Sequence, residues 1–245
     1  MYRYGRNETN ERLKGRMHKI FEIFSLLWIS IIFKIKTLFE FIRVMLYYYP
    51  NKAFAKIDLS LLHAYLFSSP FLISKHFLME KGEKDVYAYG ETPLTSLDKI
   101  AKTCDIKKLD VVYELGCGRG RTCFWLNSFI GCKVIGVEYI PAFIQKAEDI
   151  KKRWNVAGVS FKQEDFLNTD LSDATVIYLF GTCLDEGSIR HLAERIMNLS
   201  QEIKIITVSY ALNEFLDFPA FRLIKQFPAS FPWGTTDVYL QTYNF

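Results

Sequence analysis

The sequence predicts an α/β fold: a parallel sheet wrapped by helices, finished by antiparallel strands and preceded by an α-helical N-terminal extension. Three observations carry this reading. Short β-branched runs recur from Val111 to Val208, separated by segments of helical length, the alternation that builds parallel sheets with right-handed crossovers. Three glycines, Gly116, Gly118 and Gly120, stand between the first run and the helix that follows it. After Tyr210 the alternation gives way to two aromatic runs joined through Pro228, Pro232 and Gly234, as in an antiparallel closing pair.

Residues 1–85 are the expected extension and 86–245 the α/β domain. Residues 1–19 are polar and basic, and an apolar, aromatic stretch without Gly or Pro runs from Ile20 to Leu46. Its longest uncharged run, Ile23 to Phe33, has eleven residues, whereas a spanning helix needs about 20. A second apolar run, Leu59 to Ser74, contains His63 and Pro70. Neither reads as a membrane span, and no secretory signal is expected. Residues 1–56 carry eleven Lys/Arg against four Asp/Glu, a basic bias that suits an anionic partner. Two accounts of the extension are open. Its helices pack on the catalytic domain, or they form a module that lies on an anionic membrane surface with its aromatics inward.

Within the domain, Thr92 as N-cap and Pro93 in the first turn start a helix that runs to about Thr103. There follow strand Asp110–Leu115, helix Arg121–Ser128, strand Lys133–Val137 and helix Ala142–Trp154. Then come a short strand Val159–Lys162, strand Thr175–Phe180, helix Asp185–Leu199 and strand Lys204–Ser209. The strands are apolar on both faces, as in a sheet covered on both sides. The closing pair is Phe221–Phe227 with Thr236–Tyr243.

Half of the 245 residues are hydrophobic and 24% are charged, which excludes a disordered chain. The five cysteines (Cys104, Cys117, Cys123, Cys132, Cys183) show no C-x-x-C pairing, and the four histidines are scattered. They read as the reduced thiols of a cytoplasmic protein, and no metal site is expected.

The segment Glu114-Leu115-Gly116-Cys117-Gly118-Arg119-Gly120 ends a strand and opens a helix. Glycines there let a ligand approach bare backbone at a helix N-terminus. The dinucleotide fingerprint G-x-G-x-x-G would need glycine at 121, where this chain has Arg121. The pattern E-x-G-x-G-x-G instead resembles motif I of the class I S-adenosylmethionine-dependent methyltransferases. Glu138 closes the second strand 18 residues after Gly120, and Asp165-Phe166 follows the third. The resemblance implies a Rossmann-like seven-stranded sheet. It also implies that Glu138 grips the ribose hydroxyls, that Asp165 accepts from the adenine amino group, and that Phe166 packs on the ring. Cofactor binding by Glu114, Gly116, Cys117, Gly118 and Tyr139 is implied with them.

Ahead of motif I, Tyr89-Gly90-Glu91-Thr92-Pro93 resembles the lid of seven-strand lysine methyltransferases of the disruptor-of-telomeric-silencing type, and that of membrane-linked protein-lysine methyltransferases. There the loop covers the methionine end of the cofactor, a role that falls to Tyr89, Glu91 and Thr92. The resemblance spans roughly residues 86–245, the hairpin with Trp233, Gly234 and Tyr239 included; the membrane-linked relatives also carry an apolar segment before the fold. One departure is the segment Tyr178–Cys183, which has no Asn where the histone enzyme has one; nor is there an Asn-Pro-Pro-Tyr motif, so nucleic acid is not indicated. The implied activity is transfer of a methyl group to a protein lysine. A small-molecule or lipid-like acceptor and a non-catalytic cofactor-binding role are the alternatives. Tyr178, Phe180, Trp233 and Tyr239 are the aromatic side chains expected to line an acceptor channel, which would favour a neutral amine by desolvation. No general base is assigned.

Overall fold

The β-branched runs are short because each crosses the sheet once, and in the computed structural model they form five parallel strands. The structure describes residues 28–83, 85–87, 89–181 and 184–243. The basic segment 1–19, the start of the apolar stretch and Cys183 lie outside the described residues. A boundary between two compact units falls after Arg43. Helix α1 covers residues 28–48. In the larger unit, α2 (Lys52–Ala64), α3 (Pro70–Lys81) and α4 (Leu94–Thr103) precede β1 (Val111–Leu115). Then come α5 (Arg121–Phe129), β2 (Lys133–Glu138), α6 (Pro141–Arg153), β3 (Val159–Gln163), β4 (Val176–Leu179), α7 (Glu186–Met197) and β5 (Ile203–Val208). The chain closes with β6 (Phe221–Phe231) and β7 (Gly234–Tyr243).

The strand order is β3-β2-β1-β4-β5-β7-β6. Strands β1 to β5 are parallel, and β7 pairs antiparallel with both β5 and β6. The two-residue period of a strand divides each one between two cores. Val112, Val134, Tyr178 and Ile206 face one cluster with Leu97, Phe124 and Phe143 of α4, α5 and α6. Their neighbours Tyr113, Ile135, Ile177 and Ile205 face the other, against Ile189, Leu192 and Ile196 of α7. The spacing of those three α7 residues puts them on a single helical face.

Within the 1–85 extension, Phe54, Ile57 and Leu61 of α2 join the first core, and the larger compact unit begins at Val44. Each such buried side chain contributes about 1.5–3 kcal/mol, which a loosely attached module would forgo. Thr92 does not cap α4. Pro93 holds the N-cap position, and the Thr92 hydroxyl bonds that of Tyr178 at 2.5 Å. Finally, Pro228 lies inside β6 and not in the turn. Strand β6 is at the sheet's edge, where a residue without an N–H is tolerated, and the Pro228 carbonyl accepts from Lys99 Nζ at 2.6 Å.

Candidate cofactor site

The parallel strands end together, and the loop after β1 forms the floor of a cavity at their tips. Gly116, Gly118 and Gly120 have φ of 77°, 53° and 71°, the left-handed region that glycine enters at no steric cost. At Gly120 a Cβ would also stand 2.5 Å from the Phe161 ring. Above Gly116 nothing lies within 4 Å of where a Cβ would be, so the backbone there is bare. The Gly116 and Cys117 N–H groups donate to the Val137 carbonyl at 2.9 and 3.0 Å, which fixes the loop on β2.

Glu138 ends β2 and is buried. Its carboxylate accepts from the Gly118 N–H and the Ile140 N–H, each at 2.9 Å, and the Tyr139 N–H acts on it as well; a carboxylate has about four acceptor positions, so capacity remains. Burial pushes its pKa up, against those N–H bonds. Glu114 is buried beneath the loop and accepts from the Thr122 hydroxyl and, at 3.1 Å, from the Cys123 thiol. Burial pushes its carboxyl up to about 7.

The cover comes from residues 89–92. Glu91 accepts both forks of Arg119, Nε at 2.5 Å and Nη2 at 2.6 Å, and the Tyr89 hydroxyl donates to it as well. Burial raises the Glu91 pKa, but the guanidinium and these hydrogen bonds hold it below the usual value. The Tyr89 ring lies 3.6 Å from where a Gly118 Cβ would stand. Gly90 meets the Phe180 ring so closely that an added Cβ would be 2.8 Å away. Glu91, Thr92, Glu114, Gly116, Cys117 and Phe180 line the enclosed space.

The structure thus gathers Tyr89, Glu91, Thr92, Glu114, Gly116, Cys117, Gly118 and Glu138. Tyr139 and the Asp165-Phe166 pair lie further toward the β3 edge. Asp165 accepts from the Leu167 N–H at 2.9 Å, Phe166 packs against the second core, and Tyr139 sits edge-on to Phe77 at 5.2 Å. Among the acceptor candidates, Phe180 and Trp233 belong to one aromatic cluster with Phe231, at ring separations of 5.0–5.6 Å. Tyr178 is buried with its hydroxyl engaged by Thr92, so it supports the cover from below. Tyr239 is a correction. Its neighbours Val238 and Leu240 face the first core with Tyr178 and Phe231, so by the two-residue period Tyr239 points to the opposite side of the sheet.

Several residues of the wall went unread in the sequence. Arg121 forms a bidentate pair with the fully buried Asp58 of α2, at 2.6 and 2.7 Å, and the Tyr49 hydroxyl donates to the same carboxylate at 2.9 Å. Arg119 and Arg121 flank Gly120 in plain view, but their acids lie 28 and 63 residues upstream. Phe231, in β6, is the other. Among the described residues no group of His, Cys, Asp and Glu is placed to hold a metal ion.

Residues 106–220 match the family model described as a methyltransferase domain. The chain carries a class I S-adenosylmethionine-dependent methyltransferase domain. The curated relatives differ in acceptor. Over 216 residues the chain is 31% identical to the histone-lysine N-methyltransferase, H3 lysine-79 specific, of Dictyostelium discoideum, covering 80% of this chain and 11% of that protein. It is 31% identical over 94 residues to a protein-lysine N-methyltransferase of Saccharolobus islandicus, covering 38% of this chain and 58% of that one. A sterol 24-C-methyltransferase of Eremothecium gossypii is 31% identical over 77 residues, 31% of this chain and 21% of that one. The chain therefore spans less than two thirds of the length of each of these three relatives. A solved RNA methyltransferase from Salinibacter ruber, in complex with S-adenosyl-L-homocysteine, superposes with a TM-score of 0.51 at 25% identity, covering 63% of this chain and 94% of that one.

The cofactor of this methyltransferase domain is S-adenosylmethionine, and the residues present fit it. The loop offers bare backbone, Glu138 keeps acceptor capacity for hydroxyls, and the Glu91–Arg119 pair between cover and loop supplies both signs of charge.

Proposed function

We propose that the chain N-methylates a lysine side chain of a protein. Glu138 holds the ribose hydroxyls, Asp165 accepts from the adenine amino group, and Phe166 and Tyr139 flank the base. Tyr89, Glu91 and Thr92 close over the methionine end. When bound, S-adenosylmethionine supplies a methyl group already activated on a sulfonium, which an amine lone pair displaces as the C–S electrons return to sulfur. The protein's task is then to align the amine and exclude water.

The observation that carries this reading is the cluster of Phe180, Phe231 and Trp233 beside Gly90 of the cover. Aromatic surfaces accept the hydrocarbon stem of lysine and hold its amine end near the ring faces, where the amine reacts once deprotonation frees its lone pair. Two lysine methyltransferases among the relatives support it. The test is incubation with tritiated cofactor and cell lysate, separated into protein, lipid and nucleic-acid fractions. Label recovered from protein as methyllysine is expected, and Trp233→Ala should raise the acceptor KM while leaving cofactor affinity unchanged. Label confined to lipid would replace this reading with a lipid-like acceptor, which the sterol enzyme among the relatives favours.

We also propose that α1 lies on an anionic membrane face at the cytoplasmic side. No helix among the described residues is long and apolar enough to cross a membrane. Yet Trp28, Ile29, Phe33, Leu38 and Phe39 are exposed alongside Lys34, Lys36 and Arg43, a composition that favours lying flat. Co-sedimentation with anionic vesicles at low salt is expected and should weaken at high salt; no binding at low salt would refute it.

A further inference from the structure

The hydroxyl of Tyr65 is buried and has no hydrogen-bond partner, a condition that costs about 1–3 kcal/mol and is rare in a folded protein. It sits beside the cover. The Arg119 guanidinium lies over its ring at 5.1 Å and Lys146 Nζ at 4.7 Å. Phe143 is shared between it and Tyr89, at 6.1 and 5.5 Å. Burial keeps the phenol neutral, with its pKa well above the usual value, and Arg119, Glu91, Glu138 and Cys117 are the charged or ionisable groups that act on it. It is therefore a donor without an acceptor, amid the groups that wall the cofactor cavity.

Its position is built and not incidental. Tyr65 follows directly on α2, whose last carbonyl, that of Ala64, accepts from Lys146 Nζ at 2.6 Å. The same helix is pinned to the loop by the Asp58–Arg121 pair. A hydroxyl held this firmly, with nothing to bond and a guanidinium beside it, is placed to meet an acceptor on a ligand.

The amino-acid end of the cofactor carries a carboxylate and an ammonium group. Glu91 offers the acid for the ammonium. Arg119 spends two of its five N–H donors on Glu91, so others remain for a carboxylate. From this juxtaposition we infer that the Tyr65 hydroxyl, together with Arg119, binds the carboxylate of the cofactor's amino-acid end. A residue ahead of the matched domain, which begins at residue 106, is then part of the binding site. The inference rests on the cofactor placement proposed above.

The test is calorimetry on the full chain with two probes. S-adenosylhomocysteine has the amino-acid end, and 5′-methylthioadenosine lacks it. In Tyr65→Phe, which removes only the hydroxyl, affinity for S-adenosylhomocysteine should fall about tenfold or more, the worth of a hydrogen bond to a charged group. Affinity for 5′-methylthioadenosine should not change. Equal losses for both probes, or no loss for either, would overturn the inference while leaving the cofactor placement intact. Failure of the unaltered chain to bind either probe would overturn the placement itself. Thermal unfolding of the ligand-free protein supplies the second readout. Removing an unpartnered hydroxyl should not lower its Tm, and a fall of several degrees would assign Tyr65 a structural role instead.

Discussion

Glu91 and Glu114 line one cavity, and their surroundings push them in opposite directions. Glu114 belongs to the floor, where it meets only a hydroxyl and a thiol, and burial raises its pKa to about 7. Glu91 belongs to the cover, where it meets a guanidinium and its pKa falls. The difference extends to the whole of both regions. The floor is fixed by its own backbone, through left-handed glycines and N–H bonds to the neighbouring strand. The cover, and the α2 wall beside it, are fixed by charged side chains that reach across the sequence. The floor thus depends on its own backbone, whereas the cover depends on side chains from elsewhere in the chain, Arg119 on Glu91 and Tyr178 on Thr92.

If α2 is truly part of the wall, breaking its ion pair has the largest effect. Asp58→Asn leaves Arg121 buried without its counter-charge, and a loss of about 3–5 kcal/mol is expected in denaturant unfolding. An unchanged midpoint would mean that α2 only rests on the domain. The floor should respond next. Gly120→Ala places a Cβ in the left-handed region and against Phe161, costing about 2–4 kcal/mol from backbone and overpacking together. Recovery of that loss in a double variant with Phe161→Leu would apportion the two causes.

The effect that is smallest at any one pH step separates the two acids by pH. A carboxyl whose folded pKa is raised stabilises the fold below its unfolded pKa and loses that contribution as pH climbs through the folded one. For Glu114 the window runs from its ordinary 4.5 to about 7, with a slope of at most about 1.4 kcal/mol per pH unit. Glu91 has the opposite sign: its contribution is present above the ordinary value and is lost as pH falls through the lowered one. Glu114→Gln should flatten the stability profile between pH 4.5 and 7, and Glu91→Gln should flatten it only on the acid side. Identical profiles in both variants would break the comparison.

The strands, their order of appearance and the glycine loop could all be read in the chain, because each follows from local periodicity or from a demand on one residue's backbone. Strand β4 and its aromatic end were legible in the same way, but the use made of Tyr178 was not. The role of Thr92 was misread because a threonine before a proline fits a helix cap well. Only the fold revealed that a better partner, the Tyr178 hydroxyl, stands 86 residues away.

By itself, the sequence determined the α/β architecture, the closing antiparallel strands and a glycine-built floor at a strand tip, which its resemblance to motif I tied to S-adenosylmethionine. Alternation of periods and glycines at a strand tip are properties of neighbouring residues, and they survive in one dimension. The tertiary structure alone decided which acid each loop arginine takes, that Tyr65 stands against Arg119, and that Tyr239 turns away from Trp233. Pairing between distant side chains depends on which helix face meets which strand tip. A strand residue's side is set only once its register against a buried core is fixed.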